Sequence, residues 1–425
     1  MNKLFPIQFW IVFVLLSFLI FLQTGCNDSG NITQTNYSSV NGIVVDDYGN
    51  PVSGCTISYQ GDVPQTSTTG VDGKFSIRKV VRPYDLYLIK GKTAVVYKNV
   101  LTTSPLLNTF CIKSDAPQEA VVHIYVPGVH FNQVLAVWFA DTTGMYQGDT
   151  EVIYNDNATF NVKWNGINVC TGKIMAMIYT IDNNSLPVTY DNYGEKAVNL
   201  IAGNTFNINF TSEDMKTDPE ETRVNLNIVK PSWCDEIHNS FYVSTKTFAN
   251  YRVIGFHLIG SDFNGEYNSI IVPKLGKIFN YYLCSSTGDD ESSCKISPVN
   301  EGDNNITLGN PTIMMSPENG ATGINYQSVF QFYSDMPDGV YRTVIESDST
   351  DYFLNILSKS ADATVPNLSS FGIVPDPQRT YTWKVIKYSY LNNVDDFILS
   401  YLSVNELIKS VVVSEKRTFS FSPNP

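Results

Sequence analysis

The sequence predicts an all-β protein built from tandem sandwiches, and three observations predict it. Charged residues make up only 16% of the 425 positions while aromatic residues reach 13%, a balance that favours half-buried strands over solvated helices. Short runs alternate apolar and polar side chains every second residue, bounded by clusters of Gly, Pro, Asn and Asp. Finally, the roughly 400 residues behind the leader exceed what one hydrophobic core holds, so several domains are expected.

The chain opens on a targeting segment, residues 1–25. Lys3 is the only charge before Cys26, and Phe9 to Leu22 reads FWIVFVLLSFLIFL with Ser17 its single hydroxyl. A helix needs roughly 20 apolar residues to cross the hydrocarbon core, so this shorter run fits a signal peptide better than the alternative, a retained membrane helix. Leu22-Gln23-Thr24-Gly25-Cys26 follows and resembles the lipobox of bacterial lipoproteins. Gly25 and Cys26 fit that pattern, whereas Gln23 stands where Leu is usual and Leu22 lies one place early.

The resemblance implies lipidation of Cys26 through a thioether to diacylglycerol, with Cys26 becoming the new N-terminus. Each buried lipid methylene contributes about 0.8 kcal/mol, so two or three palmitate-like chains hold a protein on a bilayer without a spanning helix. Asn27 after the cysteine does not mark inner-membrane retention in such lipoproteins, which implies the cell envelope, at the outer membrane or cell surface. The expected partner is the lipid bilayer itself, through acylated Cys26. Residues 26–38 are small and polar and read as a flexible tether.

Net charge is −13, and loss of Lys3 with the leader takes it to −14 (−13 minus 1). An acidic chain with no clustered Lys and Arg excludes a nucleic-acid partner and favours solubility. Behind Cys26 come Cys55, Cys111, Cys170, Cys234, Cys284 and Cys294. An even set in an exported chain permits disulfides. Cys284 with Cys294 is the expected pair, because the intervening STGDDESS is turn-like. Without a CxxC spacing, no metal site is expected.

Residues 39–114 form the first module. VNGIVV alternates, DDYGNP turns, VSGCTISY alternates again, and Val71-Asp72-Gly73 leads into KFSI. This run, with Gly42, Gly49, Pro51 and Gly54 in place, resembles the carboxypeptidase regulatory-like domain, a transthyretin-like β-sandwich. The resemblance implies an accessory module without an active site of its own. Gly70 replaces the acidic residue usual in that family, and Arg82-Pro83 stands where a glycine is usual.

Residues 115–214 carry VVHIYV, VLAVWFA, ATFNVKW, KIMAMIYT, KAVNLI and TFNINFT, the pattern of a second sandwich. Ser212 to Thr222 is charged and reads as a linker or long loop. A third β-sandwich is expected over 222–308, from VNLNIV, SFYVST, YRVIGFHLIG, SIIVP and IFNYYLC, unless the two middle segments share one core. Its acidic stretch Gly288 to Glu301 reads as loop. In 311–425, a Pro-x-x-Gly turn before FQF and a late YTWKV strand resemble fibronectin type III or immunoglobulin-like modules, with Tyr381, Trp383 and Val385 on one face. Asn392 to Ser410 is the best helical candidate.

No catalytic residues emerge. His123, His130, His238 and His257 begin no HExxH, which separates the first module's resemblance from any zinc peptidase chemistry. His123 and His257 read as structural. GxSxG is absent, and the SxxK matches Ser76 to Lys79 and Ser292 to Lys295 fall on an expected strand and an expected loop. Gly91-Lys92-Thr93 lacks the first glycine of a phosphate loop, Leu86 standing there. Asp46, Asp47 and Asp72 have no calcium-loop spacing and read as turn formers. Trp138, Trp164, Trp233 and Trp383 are better explained as core than as a sugar-stacking platform.

No cofactor is expected, and the ligand-binding residues are unknown at this level. The expectation is a membrane-anchored, exported, non-enzymatic lipoprotein serving surface adhesion, binding or envelope structure, with a surface protein or carbohydrate as partner. One alternative is a carbohydrate- or peptide-binding lipoprotein of an outer-membrane uptake system, which an exposed aromatic row would favour. The other is an unrecognised hydrolase, which requires a deep pocket with paired acids.

Overall fold

The computed structural model describes residues 37–46, 51–110, 118–141, 146–148, 151–164, 168–183, 187–229, 231–244, 267–275, 277–286, 291–298, 300–336, 338–349, 352–389, 391–396 and 410–423. The leader, Cys26 and the tether up to residue 36 lie outside these, as do Asp47, Gly49, Cys111, His257 and residues 397–409 of the helical candidate. Among the described residues the architecture is all-β.

The first region holds β1 (Ser38–Val45), β2 (Thr56–Tyr59), β3 (Gln65–Thr68), β4 (Lys74–Val80), β5 (Tyr84–Lys90), β6 (Thr93–Val100) and β7 (Leu106–Asn108). A small sheet β4-β1-β7 and the run β6-β5-β2-β3 share a core that includes Val40, Val44, Ile57, Phe75, Leu88 and Tyr97. Two glycines permit this approach. A Cβ on Gly42 would lie 2.5 Å from the Phe75 ring and 2.6 Å from the Pro105 carbonyl oxygen. Gly73, at φ 70°, would set one 2.5 Å from the Val44 carbonyl oxygen.

The second region comprises β8 (Gln118–Tyr125), β9 (Gln133–Asp141), β10 (Tyr146–Gly148), β11 (Glu151–Ile153), β12 (Asn157–Trp164), β13 (Val169–Ile181), β14 (Pro187–Ile201), β15 (Thr205–Asn209) and β16 (Met215–Thr217). Sheets β10-β12-β8-β15 and β11-β9-β13-β14-β16 enclose a core with Val122, Phe139, Phe160, Trp164 and Ile178. The stretch expected to be a linker is instead built in. Met215 is buried in that core and β16 pairs with β14, because alternation of the SEDMKT run turns its one large apolar side chain inward.

The third region holds β17 (Glu221–Val229), β18 (Glu236–Ser244), β19 (Tyr267–Pro273), β20 (Lys277–Ser285), β21 (Ser292–Pro298) and β22 (Gly302–Thr307). Its buried residues Val224, Leu226, Ile270 and Cys284 belong to one continuous core with Ala136, Trp138, Met175, Met177 and Tyr190 of the second region. Sharing of a core by the two middle segments, left open by the sequence, is therefore what the structure has. Polar pins reinforce it: the Tyr190 hydroxyl donates to the Ile271 carbonyl at 3.0 Å, and the Tyr190 amide donates to the Glu221 carboxylate.

Two further expectations are corrected here. The Gly288–Glu301 loop contains the strand β21, which pairs with β20, so Ser292 and Lys295 lie on a strand. The disulfide joins Cys284 to Cys234, Cα–Cα 5.8 Å, and not to Cys294. Register explains it. Cys284 lies opposite Ser293, and Cys294 lies opposite Leu283, so the two cysteines are one position out of step and point to opposite faces of the hairpin. Cys284 faces the core with Cys234.

The last region comprises β23 (Ile313–Ser316), β24 (Ala321–Ile324), β25 (Val329–Tyr333), β26 (Gly339–Ser347), β27 (Phe353–Ser358), β28 (Asp362–Thr364), β29 (Tyr381–Ser389), β30 (Ser410–Val413) and β31 (Arg417–Phe421). Tyr381, Trp383 and Val385 share the buried face, as alternation predicts. Phe330 packs edge-on to Trp383 at 4.9 Å and to Phe419 at 5.4 Å. Of the helical candidate, residues 394–396 are helical among the described residues, and Ser410 starts β30.

One sheet knits three regions together. Its order is β18-β20-β21-β30-β29-β26-β27-β6-β5-β2-β3, with β24 and β31 attached beside β29. The first and last regions meet where β27 runs parallel to β6, Phe353 opposite Thr93 through Leu357 opposite Tyr97. Asp395 strengthens this seam, accepting the Leu101 amide at 2.8 Å and the Thr102 amide at 3.0 Å.

Candidate binding surface at the end of the second sandwich

At one end of the second region the β8–β9 loop, residues 126–132, is fixed by hydrogen bonds while holding its apolar tip in solvent. Asp156 accepts twice: its carbonyl from the Val126 amide and its carboxylate from the Val129 amide, both at 2.9 Å. The His130 amide donates to the Gln133 side chain at 2.8 Å, and the Gln133 amide returns a bond to the His130 carbonyl at 3.0 Å. Gly128 at φ 94° and Asn132 at φ 67° supply the two left-handed corners.

Asp191 on β14 underpins the loop. Its carboxylate accepts the Gln133 side-chain amide at 2.9 Å, the Thr180 hydroxyl at 2.8 Å and the Thr189 hydroxyl at 3.0 Å. The Ile181 amide donates to the Asn132 carbonyl at 3.0 Å, stitching β13 to the loop. On this scaffold Phe131 is 94% exposed and Tyr154, in the neighbouring β11–β12 turn, is 68% exposed. Tyr125 and Val188 are also exposed at this end. Burial pushes the Tyr179 phenol up, and Tyr154 adds to the rise.

This arrangement suits recognition of an apolar or ring-shaped surface. A large side chain left in water on a backbone with little freedom loses little entropy when a partner covers it. The sequence pattern PGVHFNQ marks the turn, but nothing in it distinguishes Phe131 from the buried aromatics nearby.

Other candidates fall elsewhere. Trp138, Trp164 and Trp383 are core side chains at 3%, 2% and 1% exposure, and the Trp233 indole donates to Asn310 at 3.2 Å, so the four tryptophans form no common platform. His123 is exposed on β8 and shares a 2.8 Å hydrogen bond with the Thr159 hydroxyl, while His130 sits in the loop just described. Asp46 is buried, whereas exposed Asp72 pairs with Lys74 at 2.8 Å. Ser76 and Lys79 lie on β4, and Gly91-Lys92 makes the β5–β6 turn.

Two shallow clefts flank the β6–β27 seam. The larger, about 230 Å³, is lined by Lys92, Ser347, Tyr352, Asp376, Arg379 and Tyr381, among others. Arg379 is held there between Asp348 and Asp376, each at 3.6 Å, so its charge is already matched. The smaller, about 150 Å³, is lined by hydroxyls and Lys98, which pairs with Asp85 at 2.7 Å. Among the described residues no cluster of His, Cys, Asp and Glu is arranged to hold a metal ion.

No family model matches the chain, and no curated protein matches it. Solved structures resemble it only loosely. The Bacillus anthracis TIE protein is 12% identical over 64% of this chain, with TM-score 0.16, and this chain spans half of that protein's length. A family 26 carbohydrate-binding module of Eubacterium rectale Amy13K, solved with maltoheptaose, is 10% identical over 42% of this chain and 95% of that one, TM-score 0.16. BcpA, the major pilin subunit of Bacillus cereus, is 10% identical over 64% of this chain and 99% of that one, TM-score 0.14. Each is a loose likeness that assigns this chain neither a family nor a role.

Proposed function

We propose that the chain is an exported lipoprotein, anchored to the cell envelope through acylated Cys26, that works by binding and not by turnover. Its first module is read as a carboxypeptidase regulatory-like domain and its last as a fibronectin type III-like domain, together forming a stiff support. The second sandwich carries the contact surface. One observation carries this reading: Phe131, 94% exposed, rides on a loop held in place by Asp156, Gln133 and Asp191. Soluble proteins tolerate single exposed apolar residues, but one fixed at the same end of the sandwich as exposed Tyr154 is a ready contact point.

The aromatic pair favours a carbohydrate or peptide ligand over a purely structural role. The test uses the full chain and its Phe131→Ala/Tyr154→Ala variant on glycan and peptide arrays. The expected result is a bound ligand class lost at least tenfold in the variant, with an unchanged melting temperature. Identical array profiles for the two proteins would remove the surface from consideration. The anchor is tested separately by palmitate labelling, expected in the parent and lost in Cys26→Ala.

A further inference from the structure

The lower end of the first module, where the chain enters it, carries a charge pattern opposite to the rest of the molecule. Tyr37 leads into β1, and Ser38 pairs with Val80 at the end of β4. That same end gathers Arg78, Lys79 and Arg82, all exposed. Hydrogen bonds tie the neighbourhood together: the Arg78 amide donates to Gln65 at 3.1 Å, the Val81 amide to the Tyr59 hydroxyl at 3.3 Å, and the Arg82 guanidinium to the Leu101 carbonyl at 3.4 Å. The same end carries exposed apolar side chains, Tyr37 at 49%, Leu101 at 46% and Val63 at 38%.

No carboxylate pairs with any of the three cations among the described residues. Asp62 is the exposed acid in the same turn as Val63. Asp395, which approaches from the last region, is buried and spends its oxygens on the Leu101 and Thr102 amides. At the far end of the module the picture reverses, since Lys74 is neutralised by Asp72 at 2.8 Å. A net charge of −13 makes three unpaired cations at one end a local exception.

We propose that this end is a foot that rests on an anionic phospholipid surface, with Arg78, Lys79 and Arg82 over the headgroups and Tyr37, Val63 and Leu101 at the interface. The proposal rests on the lipid anchor at Cys26. The eleven peptide links between Cys26 and Tyr37 reach at most roughly 40 Å, so an acylated chain keeps the module within that distance of the bilayer without choosing which end faces it. Charge complementarity then selects the orientation: each cation near an anionic leaflet contributes about fivefold to association, and an interfacial aromatic adds to it. An acidic body above the foot is repelled by the same leaflet, which keeps the second sandwich away from the lipid.

The test is amine footprinting of the acylated full chain in vesicles of phosphatidylcholine, or of phosphatidylcholine mixed with phosphatidylglycerol. Lys74, exposed at the opposite end of the same module, is the internal reference. Lys79 is expected to react at least about tenfold more slowly in the anionic vesicles, with Lys74 unchanged, and an Arg78→Gln/Arg82→Gln variant is expected to restore Lys79 reactivity. Flotation of the vesicles separates the two premises. A chain that does not float overturns the anchor and the foot together. If it floats but Lys79 and Lys74 react alike in both lipids, the anchor stands and the foot is wrong.

Discussion

Two consecutive strands of the second sandwich, β12 in one sheet and β13 in the other, bury their residues by different rules. Along β12, Ala158, Phe160, Val162 and Trp164 are buried while Asn157, Thr159, Asn161 and Lys163 face water. Along β13 the alternation ends at Ile174, and six consecutive residues to Tyr179 are buried. Ile174, Ala176 and Ile178 fill the core of their own sandwich, whereas Met175, Met177 and Tyr179 fill the core shared with the third region. An alternating strand has one wet face; a continuous apolar strand is a layer between two cores. Where the pattern changes, the chain has recruited a second partner.

The strongest way to break this contrast is Trp138→Ala. Trp138 sits on β9 opposite Met175, in the shared core, at 3% exposure. Its loss is expected to cost about 3–5 kcal/mol and to loosen both middle regions, visible as faster amide exchange in β13 and in β17 alike. By contrast Asn161→Ser on the wet face of β12 is expected to change stability by less than about 0.5 kcal/mol.

Next in size is the disulfide that closes the third region. Cys234 and Cys284 are 50 residues apart, and a loop of that length is worth about 4 kcal/mol in chain entropy. Cys234→Ser is therefore expected to lower the denaturant midpoint markedly, and Cys294→Ser to leave it nearly unmoved. Non-reducing peptide mapping that links Cys284 to Cys294 would contradict the register described above.

At the seam between the first and last regions, Asp395→Ala strips the Leu101 and Thr102 amides of their acceptor. The expected cost is about 1–3 kcal/mol, read from chemical denaturation. The smallest effect lies on the surface of the second region. Lys196 at 2.8 Å, followed by the Thr211 amide and hydroxyl, holds the Asp214 carboxyl down at about 2. Because this value lies below the ordinary carboxylate range, the pair's contribution is full at neutral pH and fades only as pH falls through that range towards 2. Lys196→Ala is expected to move the Asp214 titration upward by NMR, with little change in stability at pH 7.

Much of this was legible in the residues. VLAVWFA and KIMAMIYT are continuous apolar runs, the pattern of two-sided burial, beside the alternating ATFNVKW. YTWKV placed Tyr381, Trp383 and Val385 on one face, and that face is buried. What could not be read was pairing at long range. Nothing in Phe353–Leu357 or Thr93–Tyr97 announces that they lie side by side, because strand pairing is encoded in backbone bonds common to every residue. The disulfide escaped for a related reason: spacing shows which cysteines are near in sequence, whereas register decides which face each one takes. Phe131 was hidden because exposure of an apolar residue is a property of the fold.

The core shared by the second and third regions is the claim on which the architecture stands, and native-state hydrogen exchange in rising denaturant tests it directly. If the core is shared, the protected amides of β13, β17 and β20 lose protection at one common midpoint. Separate midpoints, with β17 and β20 melting while β13 stays protected, would show two independent sandwiches and contradict the account.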